Sequence, residues 1–94
     1  METIYNAKIR HSFLGIDEEG TPLMQITFDC KNGTTFATNK ITVLDTSFIK
    51  EIVETLEIRS WEELPRKFAR IKVDDTKKVI AVGNLIEDRW VEVK

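Results

Sequence analysis

The first forty residues read in steps of two. Residues 3–13 alternate loosely, with Ile4, Ile9 and Phe13 as apolar anchors, and the pattern extends to Ile16. Asp17-Glu18-Glu19-Gly20-Thr21-Pro22 interrupts it with turn residues; Gly20 permits positive φ, and Pro22 can open or flank a strand. Residues 23–30 then alternate cleanly, with Met24, Ile26, Phe28 and Cys30 on one face and Gln25, Thr27 and Asp29 on the other. Lys31-Asn32-Gly33 carries the Asn-Gly pair of a tight hairpin turn, so residues 34–38, rich in β-branched side chains, return antiparallel.

The period changes near Asp45. Phe48, Ile49, Ile52, Val53 and Leu56 form one apolar stripe at helical spacing, with Lys50, Glu51, Glu54 and Glu57 opposite. This predicts a helix over residues 46–57, capped by Asp45, Thr46 or Ser47 and too short to stand without a sheet beneath it. Ser60 and Glu63 have capping-box spacing, so Ser60-Trp61-Glu62-Glu63-Leu64 reads as one helical turn closed by Pro65. Trp61 is expected to fold onto the helix and the sheet. Residues 68–73 alternate again, with Ala69, Ile71 and Val73 inward; Asp74-Asp75-Thr76-Lys77 is a turn and residues 78–83 return. Gly83-Asn84 permits a bend or bulge before an extended tail, residues 85–93, in which a short helix at 85–88 is the competing reading. The order β-β-β-α-short helix-β-β-β predicts one α+β domain: a mostly antiparallel sheet of five to six strands packed on one amphipathic helix.

Composition narrows the chemistry. Ninety-four residues suffice for one domain. Fourteen Lys and Arg against sixteen Asp and Glu give a net charge of −2, too even for a general DNA-coating protein. No apolar run is long enough to span a bilayer or to form a signal-peptide core. A single cysteine without an export signal points to a reducing, cytoplasmic compartment. One histidine and one cysteine cannot fill a structural zinc site, and Cys30 shares the parity of a core face. Of the four acidic clusters, Asp17-Glu18-Glu19, Glu62-Glu63, Asp74-Asp75 and Glu87-Asp88, three fall in turns or at a helix start. No phosphate-binding loop, nucleophile elbow or zinc-protease motif occurs, so the reading is a non-enzyme with no cofactor and no metal.

One basic stretch stands out. Residues 59–78 hold seven basic side chains against four acidic ones. Arg66, Phe68, Arg70 and Lys72 share one parity, flanked by Lys67, Lys77 and Lys78; basic side chains interleaved with an aromatic suit an anionic or acidic partner. The bland alternative is a solvated hairpin face whose cations discourage edge pairing. Arg89 and Trp90 near the C-terminus are residue types common at binding hot spots, set against the alternative that Trp90 closes the core.

The segment Ser60-Trp61-Glu62-Glu63-Leu64-Pro65, the basic-apolar strand after it and the ending Gly83-Asn84-Leu85-Ile86-Glu87-Asp88-Arg89-Trp90 resemble small phage- and prophage-encoded accessory proteins. The opening Asn6-Ala7-Lys8-Ile9 is similar too, while Arg66, Asn84 and Val91 stand where that group often has glycine, histidine and an aromatic. The resemblance supplies no catalytic residues. It implies a protein that acts by binding and inhibiting a host protein, for example a defence nuclease in the manner of an anti-CRISPR, in the host cytoplasm. Arg66, Phe68, Arg70, Lys72, Lys78, Arg89 and Trp90 are the expected contact residues. The alternative is a binder of an anionic ligand, either a nucleotide-signal sponge or a single-strand nucleic-acid binder. A homodimer is compatible with both.

Overall fold

The computed structural model describes residues 2–42 and 47–93. Among them, seven strands form one antiparallel sheet: β1 (Thr3–Ile16), β2 (Pro22–Cys30), β3 (Thr35–Ala37), β4 (Ile41–Thr42), β5 (Phe68–Val73), β6 (Val79–Gly83) and β7 (Trp90–Glu92). The spatial order is β3-β2-β1-β5-β6-β7, with the short β4 also on β2, beside residues 23–24. One helix, α1 (Ser47–Thr55), and a 3₁₀ turn at Trp61–Glu63 complete the described elements. The α+β class and the antiparallel sheet agree with the periodicity, while the sheet has seven strands rather than the expected five to six, the short β4 being one the alternation did not mark. The cap candidates Asp45 and Thr46 lie outside the described residues, and Ser47 is the first described residue of the helix.

The core lies on one face of the sheet, where Ile9, Met24, Ile26, Phe28, Ile71 and Val82 are sealed beneath Ile52 and Leu56 of the helical segment. Helix α1 ends where Glu57 takes a left-handed φ of 57°, the Ile58 N–H reaches the Val53 carbonyl (3.0 Å) and the Glu57 N–H the Glu54 carbonyl (3.2 Å). This is the Schellman pattern, with glutamate at the position that usually takes glycine. Ser60 and Glu63 fulfil their capping spacing: the Glu63 carboxylate accepts the Ser60 N–H (2.9 Å) and the Arg59 N–H. Trp61 is half-buried against the core, as expected.

Three hairpin loops close alike. Gly20 donates to the Asp17 carbonyl, Gly33 to the Cys30 carbonyl and Lys77 to the Asp74 carbonyl, at 3.0–3.1 Å, and each donor has positive φ. Glycine fills that left-handed position twice; at Lys77 a side chain does, at the cost of crowding its Cβ.

Strand β1 departs from the sequence pattern. A bulge at Arg10 breaks its register with β2 between Ile9 and His11. Before the bulge Ala7 and Ile9 face the core and Tyr5 packs on Phe36, with ring centres 5.2 Å apart. After it, His11, Phe13 and Gly15 stand opposite Thr27, Gln25 and Leu23 on the outer face, while Ser12, Leu14 and Ile16 stand opposite Ile26, Met24 and Pro22. Of the expected anchors, Ile4 is exposed because its parity is opposite to that of Ala7 and Ile9, and Phe13 is exposed because the bulge turns it outward. The bulge slips the period-two pattern by one residue, which loose alternation in the sequence does not reveal. Two smaller corrections follow the same logic. The bulge in the second hairpin falls at Ile80, where the β5–β6 register shifts between Lys72 and Val73, and the extended tail shrinks to β7 because residues 85–88 form bends.

Candidate binding face

The outer face of the sheet gathers four of the seven expected contact residues. Phe68, Arg70 and Lys72 alternate outward along β5, while Ala69, Ile71 and Val73 are buried. Across the sheet, Arg70 pairs with Gly83 and Gly83 with Trp90. The Trp90 ring lies flat on Gly83: a Cβ built there would meet ring carbons at 2.6–2.8 Å. That missing side chain lets the indole reach the cations. The Arg70 guanidinium is 4.8 Å and the Lys72 ammonium 4.5 Å from the ring centre, within cation–π range. The indole N–H donates to Asp88 Oδ1 (2.9 Å). Trp90 thus neither closes the core nor stands free; it is a half-buried lid on the outer face.

Arg70 and Arg89 have structural partners. Arg70 Nε donates to the Asn84 carbonyl (2.8 Å) and its Nη2 to the Glu87 carbonyl (2.7 Å). Arg89 Nη2 reaches the Glu54 and Thr55 carbonyls at 2.9 and 3.2 Å, at the helix end where a cation is favoured, and lies 3.4 Å from Glu57 Oε1. Asn84, 9% exposed, knots this loop: its amide donates to the Thr55 carbonyl (2.9 Å), and its Oδ1 accepts the N–H groups of Ile86 and Glu87. Residues 84–89 are therefore clamped between β5 and the end of α1. Arg66 does not extend the basic row. It precedes β5 with a φ of 76°, donating its N–H to the Ile9 carbonyl (2.7 Å). Lys78 sits at the β5–β6 turn, at the opposite end of β5 from Phe68.

Phe68 is the shared wall of two surface clefts. One, of about 450 Å³, is lined by Leu56, Glu57, Arg66, Lys67, Phe68, Asn84, Leu85, Ile86 and Glu87. The other, of about 440 Å³, lies between Ala7, Lys8, Asp29, Cys30 and Phe68. Phe68 is 54% exposed and Ile86 88% exposed. Lys8 lies 5.7 Å from the Phe68 ring centre, and Ile4, also exposed, stands opposite Lys72 on the same face. Reading the sequence missed Ile4, Lys8, Leu85 and Ile86. The signal for the last two was an apolar pair in the polar run Asn84–Asp88, fitting neither period.

Other candidate chemistry is kept apart. His11 lies on the outer face and Cys30 on the core face, so they do not form a pair. Burial, reinforced by the neighbouring Asp29 charge, pushes the Cys30 thiol up, away from the reactive thiolate. Among the described residues, no three His, Cys, Asp or Glu side chains converge as a metal-binding group, and no helix is long and apolar enough to cross a membrane. No protein-family model matches the chain, and comparison with curated proteins and with solved structures finds no match.

Proposed function

We propose that this protein acts by binding, and that its contact surface is the outer face around Phe68. The observation that carries this reading is the placement of Phe68, more than half exposed between two clefts, with Leu85 and Ile86 of one of those clefts also exposed. Large apolar side chains grouped at the surface mark interaction sites more often than isolated ones do. Lys8 and Arg66 flank them, and Lys72 lies farther along β5 on the same face, opposite the exposed Ile4. On the same face, Asp29 is engaged by the Thr35 hydroxyl (3.0 Å) and by Arg10 (3.6 Å). The fitting partner is a protein surface with an apolar centre and an acidic rim. With the phage-accessory resemblance, the partner is a host protein and binding inhibits it.

The anionic-ligand reading is weaker on two counts. The cleft beside Leu85 and Ile86 balances Arg66 and Lys67 with Glu57 and Glu87, and the Trp90 ring is already occupied by Gly83, Arg70 and Lys72, leaving little face for a stacked base.

The test is co-purification of the tagged full chain from a bacterial host, comparing wild type with Phe68→Ser and with the pair Lys8→Glu and Lys72→Glu. A host protein recovered in stoichiometric amount by wild type and lost from both variants, with melting temperatures kept within a few degrees, is the expected result. Arg70 is left intact because its carbonyl bonds make it structural. A partner retained by both variants overturns the surface assignment. Titration with single-stranded oligonucleotide that shows tight binding falling steeply with salt overturns the protein-partner reading in favour of nucleic acid.

A further inference from the structure

We propose that a second copy of this chain pairs with the free edge of β1, joining two sheets through antiparallel contact of residues 11–16. Pairing of β1 with β5 stops at Lys8–Phe68, and the backbone of Ile9 is taken by Arg66 and Lys67. Beyond that point, among the described residues, β1 has only β2 beside it.

The direction of the unpaired groups follows from β2. Ile26 donates its N–H to Thr38 Oγ1 (3.1 Å) and accepts the Thr38 N–H on its carbonyl (2.9 Å), so both its backbone groups point away from β1. Its partner Ser12 is then in a non-hydrogen-bonded pair and turns its own N–H and C=O toward the open edge. Alternation turns those of Leu14 and Ile16 the same way. Leu14 and Ile16 are 47% and 67% exposed, and His11-Ser12-Phe13-Leu14-Gly15-Ile16 contains no lysine or proline to protect the edge.

The segment matches itself. Of the two-fold registers that align these groups, the one centred on Leu14 uses all three residues. Leu14 meets Leu14 of the other copy and Ser12 meets Ile16, each pair exchanging two N–H···O bonds. On the outer face Phe13 stands opposite Gly15 of the other copy, and each Phe13 ring lies over the Gly15 of its own chain, so the two rings flank the axis. β1 ends at Ile16, and the chain turns at Asp17. With Ser12 opposite Ile16, the acidic turn Asp17-Glu18-Glu19 that follows Ile16 in one copy lies beyond the Arg10-His11 end of the arm of the other. An unrelated strand would have no reason to match this charge order.

Sedimentation equilibrium of the full chain tests the proposal. Wild type should dimerise, whereas Leu14→Lys and Leu14→Glu, placing like charges face to face on the axis, should each weaken the dimer by at least about tenfold. Mixing the two variants should restore it. Leu14→Cys should cross-link between copies under mild oxidation, because a bonded pair holds the two Cα atoms about 5.5 Å apart, and Ser12→Cys should not. Thermal melts confirm that the variants fold. A wild type that stays monomeric at millimolar concentration overturns the proposal. So does a dimer indifferent to Leu14→Lys, or one that cross-links through Ser12→Cys as readily as through Leu14→Cys.

Discussion

The same device, an aromatic ring laid on a glycine, occurs at two places in this sheet with opposite consequences. Trp90 covers Gly83 and Phe13 covers Gly15. Around Trp90 the neighbours are fixed: two cations over the ring, a carboxylate on its N–H and a loop tied by Asn84 to the end of α1. Phe13 stands on the arm of β1 that, among the described residues, has a strand on one side only, and it remains 42% exposed. The contrast continues along β1 itself. Ile9, flanked by β2 and by the backbone of Arg66 and Lys67, is fully buried, while Leu14 on the same strand is half open. Position between neighbours, more than side-chain type, decides which apolar residue contributes to stability and which is left for contact.

The comparison is broken most easily by truncating a side chain at the centre of the strand and one on its arm. Ile9→Ala should cost about 2–4 kcal/mol of unfolding free energy, because nothing can collapse into the gap. Leu14→Ala should cost about 0.5 kcal/mol or less, measured by denaturant titration at low protein concentration. Equal losses would mean that the arm is as deeply embedded as the centre.

The glycines sharpen the point. Gly83→Ala drives a methyl group into the body of the clamped indole and should cost about 1–3 kcal/mol, with a change in tryptophan fluorescence. Gly15→Ala meets the far end of the exposed Phe13 ring, which can swing aside, and should cost about 0.5 kcal/mol or less.

A smaller effect of opposite sign is expected at the hairpin that braces the buried half. Lys77→Gly relieves the left-handed strain that Gly20 avoids at the tip of the arm, and should stabilise by about 0.5 kcal/mol.

The smallest effect is with pH. Backbone N–H groups of Arg59 and Ser60 hold Glu63 below the usual carboxylate range, and the Thr76 hydroxyl with the Lys78 N–H does the same for Asp74. Both bind protons more weakly folded than unfolded, so their contribution is present above the ordinary carboxylate value and is lost as pH falls through the depressed one. Stability measured from pH 6 to pH 3 should decline, and less steeply in Glu63→Gln and Asp74→Asn. An unchanged slope in both variants would remove these carboxylates from the account.

Local chemistry alone fixed a good deal of this protein. Alternation placed β2 and β5, the helical stripe placed α1, Gly20 and Gly33 placed two loops, and Ser60 with Glu63 placed the turn before β5. Each of these depends on neighbours within a few residues, so each is written in the sequence. The outward row of Phe68, Arg70 and Lys72 was legible for the same reason. What needed the tertiary structure were long-range matters. The bulge at Arg10 inverts the second half of β1 because β2 keeps its own face to the core. Arg70 and Arg89 lose their freedom to carbonyls far along the chain, and Trp90 leaves the core for a glycine on the next strand. Ile86 and the open edge of β1 emerge only when all other pairings are complete, because a surface is what remains after the core has chosen its members.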